Sequence, residues 1–253
     1  MTGKVYIVGA GPGAADLLTL RAVSILRVAE VVLHDDLVSQ EVLALASSGA
    51  EIINVGKRCG RRGSSQEQIN ALMVEQARHR KHVVRLKSGD PAIFGRLGEE
   101  LDALREAQVP FEIVPGVTAA SAAAAGAALT LTDRRAASAL VTLTAHNCRN
   151  QRMNAPAPDP ASSTFAVYMP GPDFGRTASE LVELGWSEDA PCVLVSHAGR
   201  VTEQVHRTTL GGLQSISGIP APAMLIVGEV TRPVPAESPA DVEHSSAVEC
   251  QFS

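Results

Sequence analysis

Apolar residues in this chain arrive in two alternating patterns. Short unbroken blocks are followed by longer stretches in which apolar positions recur every three or four residues. Lys4 to Gly9 is the first block and reads as a buried strand. Asp16 and Thr19 are cap candidates for a helix that runs through Leu20, Val23, Leu26 and Ala29. Val31 to His34 and Glu51 to Val55 are the next strand-length blocks. Ser64 and Glu67 have capping-box spacing ahead of a helix through Ile69, Leu72, Met73 and Ala77. Val83, Val84 and Leu86 mark a central strand, Glu99 to Ala107 a helix, and Phe111 to Val114 a further strand.

The second half repeats the alternation with different spacing. Ala119 to Ala128 is an alanine-rich helix. Strands are predicted from Leu140, Thr164, Cys192, Val205 and Ala223, with a helix over Thr177 to Leu184. Asn147 to Ser163 is polar, carries Pro156, Pro158 and Pro160, and reads as a surface loop. Beyond Arg232 periodicity fades, which predicts a disordered tail. The result is an α/β chain with mixed or mainly parallel sheets and flanking helices. Its expected divisions are an N-terminal α/β domain over 1–115, a C-terminal α/β domain over 116–232 and a tail over 233–253.

Composition narrows the function classes. With 253 residues and 45% apolar content the chain can bury a sizeable core. Aromatics are only 3%, which argues against a stacking platform for nucleic acid. The net charge of −5 creates no global attraction for polyanions. Cys59, Cys148, Cys192 and Cys250 are scattered without a CxxC pair, so a reduced, cytoplasmic protein is expected, with neither a disulfide framework nor a cysteine zinc site. The seven histidines show no metal spacing. No apolar run reaches the length of a membrane span.

Candidate chemistry gathers at the ends of the predicted strands. Gly11, Asp35, Lys57, Gly89 and Gly116 all follow one, where open α/β sheets bind ligands. The run Arg85 to Glu100, RLKSGDPAIFGRLGEE, breaks a strand on Gly89-Asp90-Pro91 and reopens as a helix. Glycine there lets a ligand approach the backbone. Gly9-Ala10-Gly11-Pro12-Gly13 invites a dinucleotide reading, but its third glycine comes one place early and Pro12 removes an N–H. A tight turn and a nucleotide-type site both fit that loop. Lys57, Arg58, Arg61 and Arg62 crowd one loop, either as a solvated charge run or as a patch for a carboxylate-rich molecule. Asp35 and Lys57 can be an ion pair or a proton-transfer pair.

Taken together, the motifs resemble the tetrapyrrole methylases, and within them the enzymes that methylate uroporphyrinogen III. The pieces come in family order from about Lys4 to Val230. They are VGAGPG at Val8–Gly13, DLLTLRA at Asp16–Ala22, HDDLV at His34–Val38, VGKRCG at Val55–Gly60, the Arg85–Glu100 run, and VPFEIVPGVTAASAAAA at Val109–Ala125. TAH at Thr144–His146, VYMPG at Val167–Gly171 and PAMLIVGEV at Pro222–Val230 follow. GAGPG alone is weak; the ordered set is specific.

The resemblance implies a two-domain fold that binds S-adenosylmethionine in the cleft between domains, a homodimer, and no metal. S-adenosylhomocysteine would be the by-product. By position, implied cofactor contacts fall on Pro12, Ser88, Gly89, Asp90, Ile93, Thr118, Ala119, Met169 and Ala198, with Ala223 as a further one. Implied proton-transfer roles fall on Asp35 and Lys57. A substrate with eight carboxylates would need a basic rim, for which Lys57, Arg21, Arg58, Arg61, Arg62 and Arg134 are candidates. The implied reaction is methylation of uroporphyrinogen III at C2 and C7 to precorrin-2, on the route to sirohaem or cobalamin, by a stand-alone enzyme. The chain departs from the family pattern at Ser88, Ala145, Asp133 and Pro170. Action on a later corrin precursor and a nicotinamide-dependent oxidoreductase remain as alternative readings.

Overall fold

The computed structural model describes residues 3–56, 64–145 and 159–233. Five strands build the first sheet: β1 (Lys4–Gly9), β2 (Val31–His34), β3 (Glu51–Asn54), β4 (His82–Lys87) and β5 (Phe111–Val114). Their order is β3-β2-β4-β1-β5, and every pairing is parallel. Alternation along each strand divides the side chains between two layers. Val8, Val32, Val84, Leu86 and Val114 pack with α1 (Leu20–Leu26) and α2 (Gln40–Leu43). Val5, Ile7, Val31, Leu33 and Val83 pack with α3 (Gln66–His79) and α4 (Leu97–Glu106). Burial of β1, β2 and β4 on both faces explains why they read as nearly continuous apolar blocks, whereas the edge strands β3 and β5 are more exposed.

Pro115 to Thr118 carries the chain from β5 into α5 (Ala119–Gly126). The second sheet contains β6 (Ala139–Thr144), β7 (Ser163–Tyr168), β8 (Pro191–Ser196), β9 (Gln204–Thr209) and β10 (Ala223–Val227), in the order β6-β7-β10-β8-β9. Only β6–β7 is parallel; β10 runs antiparallel to β7 and β8, and β8–β9 is antiparallel. The alanines of α5 cover one face, against Ala166, Val193, Val195 and Ile226. Small side chains let the helix lie close to the sheet. On the other face α6 (Phe174–Glu183) packs Phe174, Ala178 and Leu181 against Phe165, Leu194 and Val227.

Local chemistry shifts some predicted boundaries. Thr19 caps α1, but Asp16 lies in a separate 3₁₀ turn. The capping box of α3 is made by Ser65 and Gln68, one residue beyond the predicted Ser64 and Glu67. Both pairs have the spacing; in the register used, Gln66, Ile69, Met73 and Ala77 are the buried positions. Lys57, Arg58, Arg61, Arg62 and the tail from residue 234 lie outside the described residues.

Candidate functional site

Three loops at the carboxyl ends of neighbouring strands interlock through their backbones. Gly11 and Gly89 exchange hydrogen bonds, N–H to carbonyl, at 3.2 and 2.8 Å, joining the loop after β1 to the loop after β4. Gly116, after β5, lies against both. A side chain on Gly9 would come within 2.6 Å of the Gly116 Cα, and one on Gly116 would run into the Gly89 carbonyl. Asp90 accepts from Ala92 N–H at 2.8 Å and from Gly116 N–H at 2.9 Å, so each carboxylate oxygen holds one loop. Gly89 itself adopts φ +68°, and the space beside its Cα is open.

These loops form one wall of a cavity of about 230 Å³ between the two sheets. From the first sheet come Pro12, Asp35, Ser88, Gly89, Asp90 and Ile93, and Thr118 and Ala119 open α5 above them. Met169, Ala198 and Ala223 face them from the second sheet. All ten implied cofactor positions therefore meet in one place, together with Asp35. Leu37, Lys87, Phe94, Gly95, Tyr168, Val195, Pro222 and Met224 complete the lining and were missed in the sequence reading. Lys87, Phe94, Pro222 and Met224 each adjoin an implied position, and so does Tyr168, beside Met169. Its hydroxyl shares a hydrogen bond with Thr118 and its ring lies 5.0 Å from that of Phe94, linking the two sides.

A buried charge network stands behind Asp35. Arg85, from β4, donates to Asp35 Oδ1 at 2.5 Å and to Glu100 Oε1, on α4, at 2.8 Å. Lys87 donates to the same Glu100 oxygen at 2.9 Å. Alternation along β4 puts Arg85 and Lys87 on the α4 side with Val83. Burial opposes the Arg85 charge, but Asp35 and Glu100 more than offset it, and its pKa is raised. Burial, with the adjacent Arg85 charge, outweighs Glu100 at Lys87 and holds that ammonium below the usual lysine range. Glu100 Oε2 is buried with no hydrogen-bond partner among the described residues. Lys87 and Asp35 both reach the cavity wall, so the network ends there at two points.

The predicted basic rim is only partly visible. Arg21 lies on the exposed side of α1 and pairs with Glu112, which also takes Lys4, and Arg21 is absent from the cavity lining. Arg134 is exposed and likewise does not line the cavity. Lys57, Arg58, Arg61 and Arg62 are outside the described residues. The dinucleotide alternative loses its geometric basis. A dinucleotide fingerprint opens directly into a helix N-terminus, whereas α1 begins only at Leu20 and Gly11 is bonded to Gly89. Among the described residues no group of three or more His, Cys, Asp or Glu could hold a metal ion, and no helix is long and apolar enough to cross a membrane.

The cavity can accommodate the S-adenosylmethionine that the resemblance implies. It offers small or apolar walls, an open backbone at Gly89, and carboxylates at Asp35 and Asp90. Comparison with known proteins agrees with this architecture. The family model for tetrapyrrole (corrin/porphyrin) methylases matches residues 4–214. Siroheme synthase 1 of Yersinia pseudotuberculosis is 44% identical over 231 residues, covering 90% of this chain. The chain spans 49% of that relative's length. A uroporphyrinogen-III C-methyltransferase of Paracoccus denitrificans is 43% identical over 234 residues, covering 90% of this chain and 81% of the relative. The crystal structure of a Thermus thermophilus uroporphyrin-III C-methyltransferase complexed with S-adenyl homocysteine superposes with a TM-score of 0.77 at 38% identity. That match covers 90% of this chain and 98% of the other. With two helix-flanked sheets in the class III S-adenosylmethionine-dependent methyltransferase fold, this chain belongs to the tetrapyrrole (corrin/porphyrin) methylase family.

Proposed function

We propose that this protein methylates uroporphyrinogen III at C2 and C7, using S-adenosylmethionine, to give precorrin-2. The carrying observation is the convergence of Pro12, Ser88, Gly89, Thr118, Met169 and Ala198 on one cavity beside Asp35, in a chain 43% identical to a protein named for this activity. S-adenosylmethionine supplies a methyl group on a cationic sulfur. The residues 1–115 and 116–232 act as the two domains that enclose it, and the working unit is a homodimer. Small and glycine residues let the cofactor approach the backbone, while Phe94, Tyr168 and Met169 restrict water around it. Holding reacting atoms about 3–3.5 Å apart can remove roughly 7–11 kcal/mol from a barrier. As the pyrrole carbon gains its methyl group, a proton must leave the ring system. Asp35 is the acceptor, and Arg85 fixes the direction of its carboxylate. Lys57 donates a proton or anchors a substrate carboxylate, and Arg58, Arg61 and Arg62 extend that anchor.

The direct test is incubation with uroporphyrinogen III and S-adenosylmethionine. Two equivalents of S-adenosylhomocysteine per tetrapyrrole, with the dimethylated product, are expected. Methylation of a later corrin precursor, with uroporphyrinogen III left unchanged, would overturn the substrate assignment. Size-exclusion chromatography with light scattering reads the dimer.

A further inference from the structure

The connection from β8 to β9, residues 197–203, is braced from within. His197 bonds the Thr202 hydroxyl through Nδ1 at 2.9 Å and the Ala221 carbonyl through Nε2 at 2.8 Å. Glu203 accepts from Gly199 N–H at 2.7 Å. From this rigid turn Arg200 reaches across to the first sheet. Its Nη2 donates to the Leu37 carbonyl at 2.7 Å and its Nε to the Pro12 carbonyl at 3.4 Å. Pro12 and Leu37 follow different strands, and both line the cavity, as does Ala198 beside the turn. The contact is close-packed. Arg200 fills the space that a side chain on Gly13 would need, and a Cβ on Gly199 would stand 2.9 Å from both Leu17 and Pro12. Ala14 N–H donates to the Gly199 carbonyl at 3.1 Å. Ser39 Oγ donates to the Gly13 carbonyl at 2.7 Å.

We infer that Arg200 is a positioning residue that clasps the cleft shut, tying the loops after β1 and β2 to the β8–β9 turn and so setting how readily a bound molecule is released. A planar guanidinium can bridge two carbonyls that point from separate loops, which a single ammonium cannot do equally well. The clasp lies on the flank formed by Pro12 and Leu37, whereas Phe94, Thr118 and Tyr168 join the sheets through separate contacts. Opening the Arg200 flank breaks its two hydrogen bonds and the Ala14–Gly199 bond. The ligand consequence rests on the methyltransferase reading; the mechanical consequence does not.

Arg200→Ala and Arg200→Lys in the full chain test both. Without ligand, hydrogen exchange followed by mass spectrometry should show faster exchange in Arg200→Ala in peptides spanning 10–18 and 197–203. Peptides of β1 and β4 should keep the parental rate. Release of S-adenosylhomocysteine, measured by stopped flow, should accelerate about tenfold in Arg200→Ala, the scale of one or two lost hydrogen bonds. Arg200→Lys should recover part of both effects by reaching one carbonyl, which a general loss of stability would not predict. Parental exchange in both loop peptides, or faster exchange with unchanged release, would overturn the clasp. A parental protein that binds no S-adenosylhomocysteine would refute the methyltransferase reading instead, and the exchange result alone would then decide the role of Arg200.

Discussion

Asp35 combines an accessible carboxylate with a fixed orientation. It lines the cavity, its side chain is 30% exposed, and Arg85 holds one oxygen from behind. Asparagine preserves the shape but cannot accept a proton. Asp35→Asn should lower turnover by about 10²–10⁴-fold, with little change in S-adenosylhomocysteine affinity measured by calorimetry. Equal turnover in the two proteins would remove Asp35 from the proton transfer. Asp90 was expected to meet the cofactor. It does line the cavity, but its two oxygens already hold Ala92 and Gly116. That occupation was invisible in sequence, because the Gly116 N–H comes from the loop after β5, a strand that pairs with β1 and not with β4. Ser88, where the resemblance implies glycine, sits at the cavity wall.

At the scale of elements, the site depends on how closely the loops after β1, β4 and β5 approach. The glycines there are not equivalent. Gly116→Ala places a Cβ against the Gly89 carbonyl and the Gly9 Cα, and both neighbours are backbone, so no flexible side chain can yield. A loss of about 1–3 kcal/mol is expected from such overpacking, together with weaker S-adenosylhomocysteine binding. Gly98, inside α4, has nothing within 4 Å of an added Cβ and needs no left-handed conformation. Gly98→Ala should instead stabilise, by up to the roughly 0.5–1 kcal/mol that glycine costs in mid-helix, since Gly98 stands in the first turn of α4. Urea midpoints of the two variants check the opposite signs. The sequence marked all these glycines alike; the contacts separate them. Element type was legible from periodicity, while the Ser65–Gln68 capping box and the antiparallel course of β8, β9 and β10 were not. Two Ser–x–x–Glu/Gln frames are offset by one residue, and an apolar strand carries no mark of its neighbour's direction.

The whole molecule determines the charge network, because Asp35, Arg85, Lys87 and Glu100 come from a loop, one strand and one helix. Lys87 faces Glu100 and Arg85, with Asp35 beyond them, and its folded pKa is lowered. An unfolded lysine titrates near about 10.4. Between the lowered folded value and that unfolded value, the unfolded chain holds a proton that the folded chain has released. Stability from this group therefore rises with pH across that window and is flat below it. Lys87→Met removes this titrating group while keeping most of the volume. The difference in urea stability, parent minus variant, should increase from neutral pH toward pH of about 10. A constant difference would mean that Lys87 titrates as an ordinary lysine.

Periodicity in the sequence determined the kinds of element and the two-layered burial of the first sheet, since side-chain direction follows from residue spacing. The resemblance also marked the ten positions that meet in the cavity, most of them in loops that leave the end of a strand. Tertiary structure alone decided which charges those positions would meet. Arg85 and Lys87 look like the polar face of a strand, yet α4 covers them and supplies Glu100. Arg21 looks like part of a ligand rim, yet Glu112 takes it. Arg200, with no motif to mark it, bridges carbonyls more than 160 residues away in sequence. Spacing encodes direction along one element, but a charge acquires its partner only when elements distant in the chain are packed together.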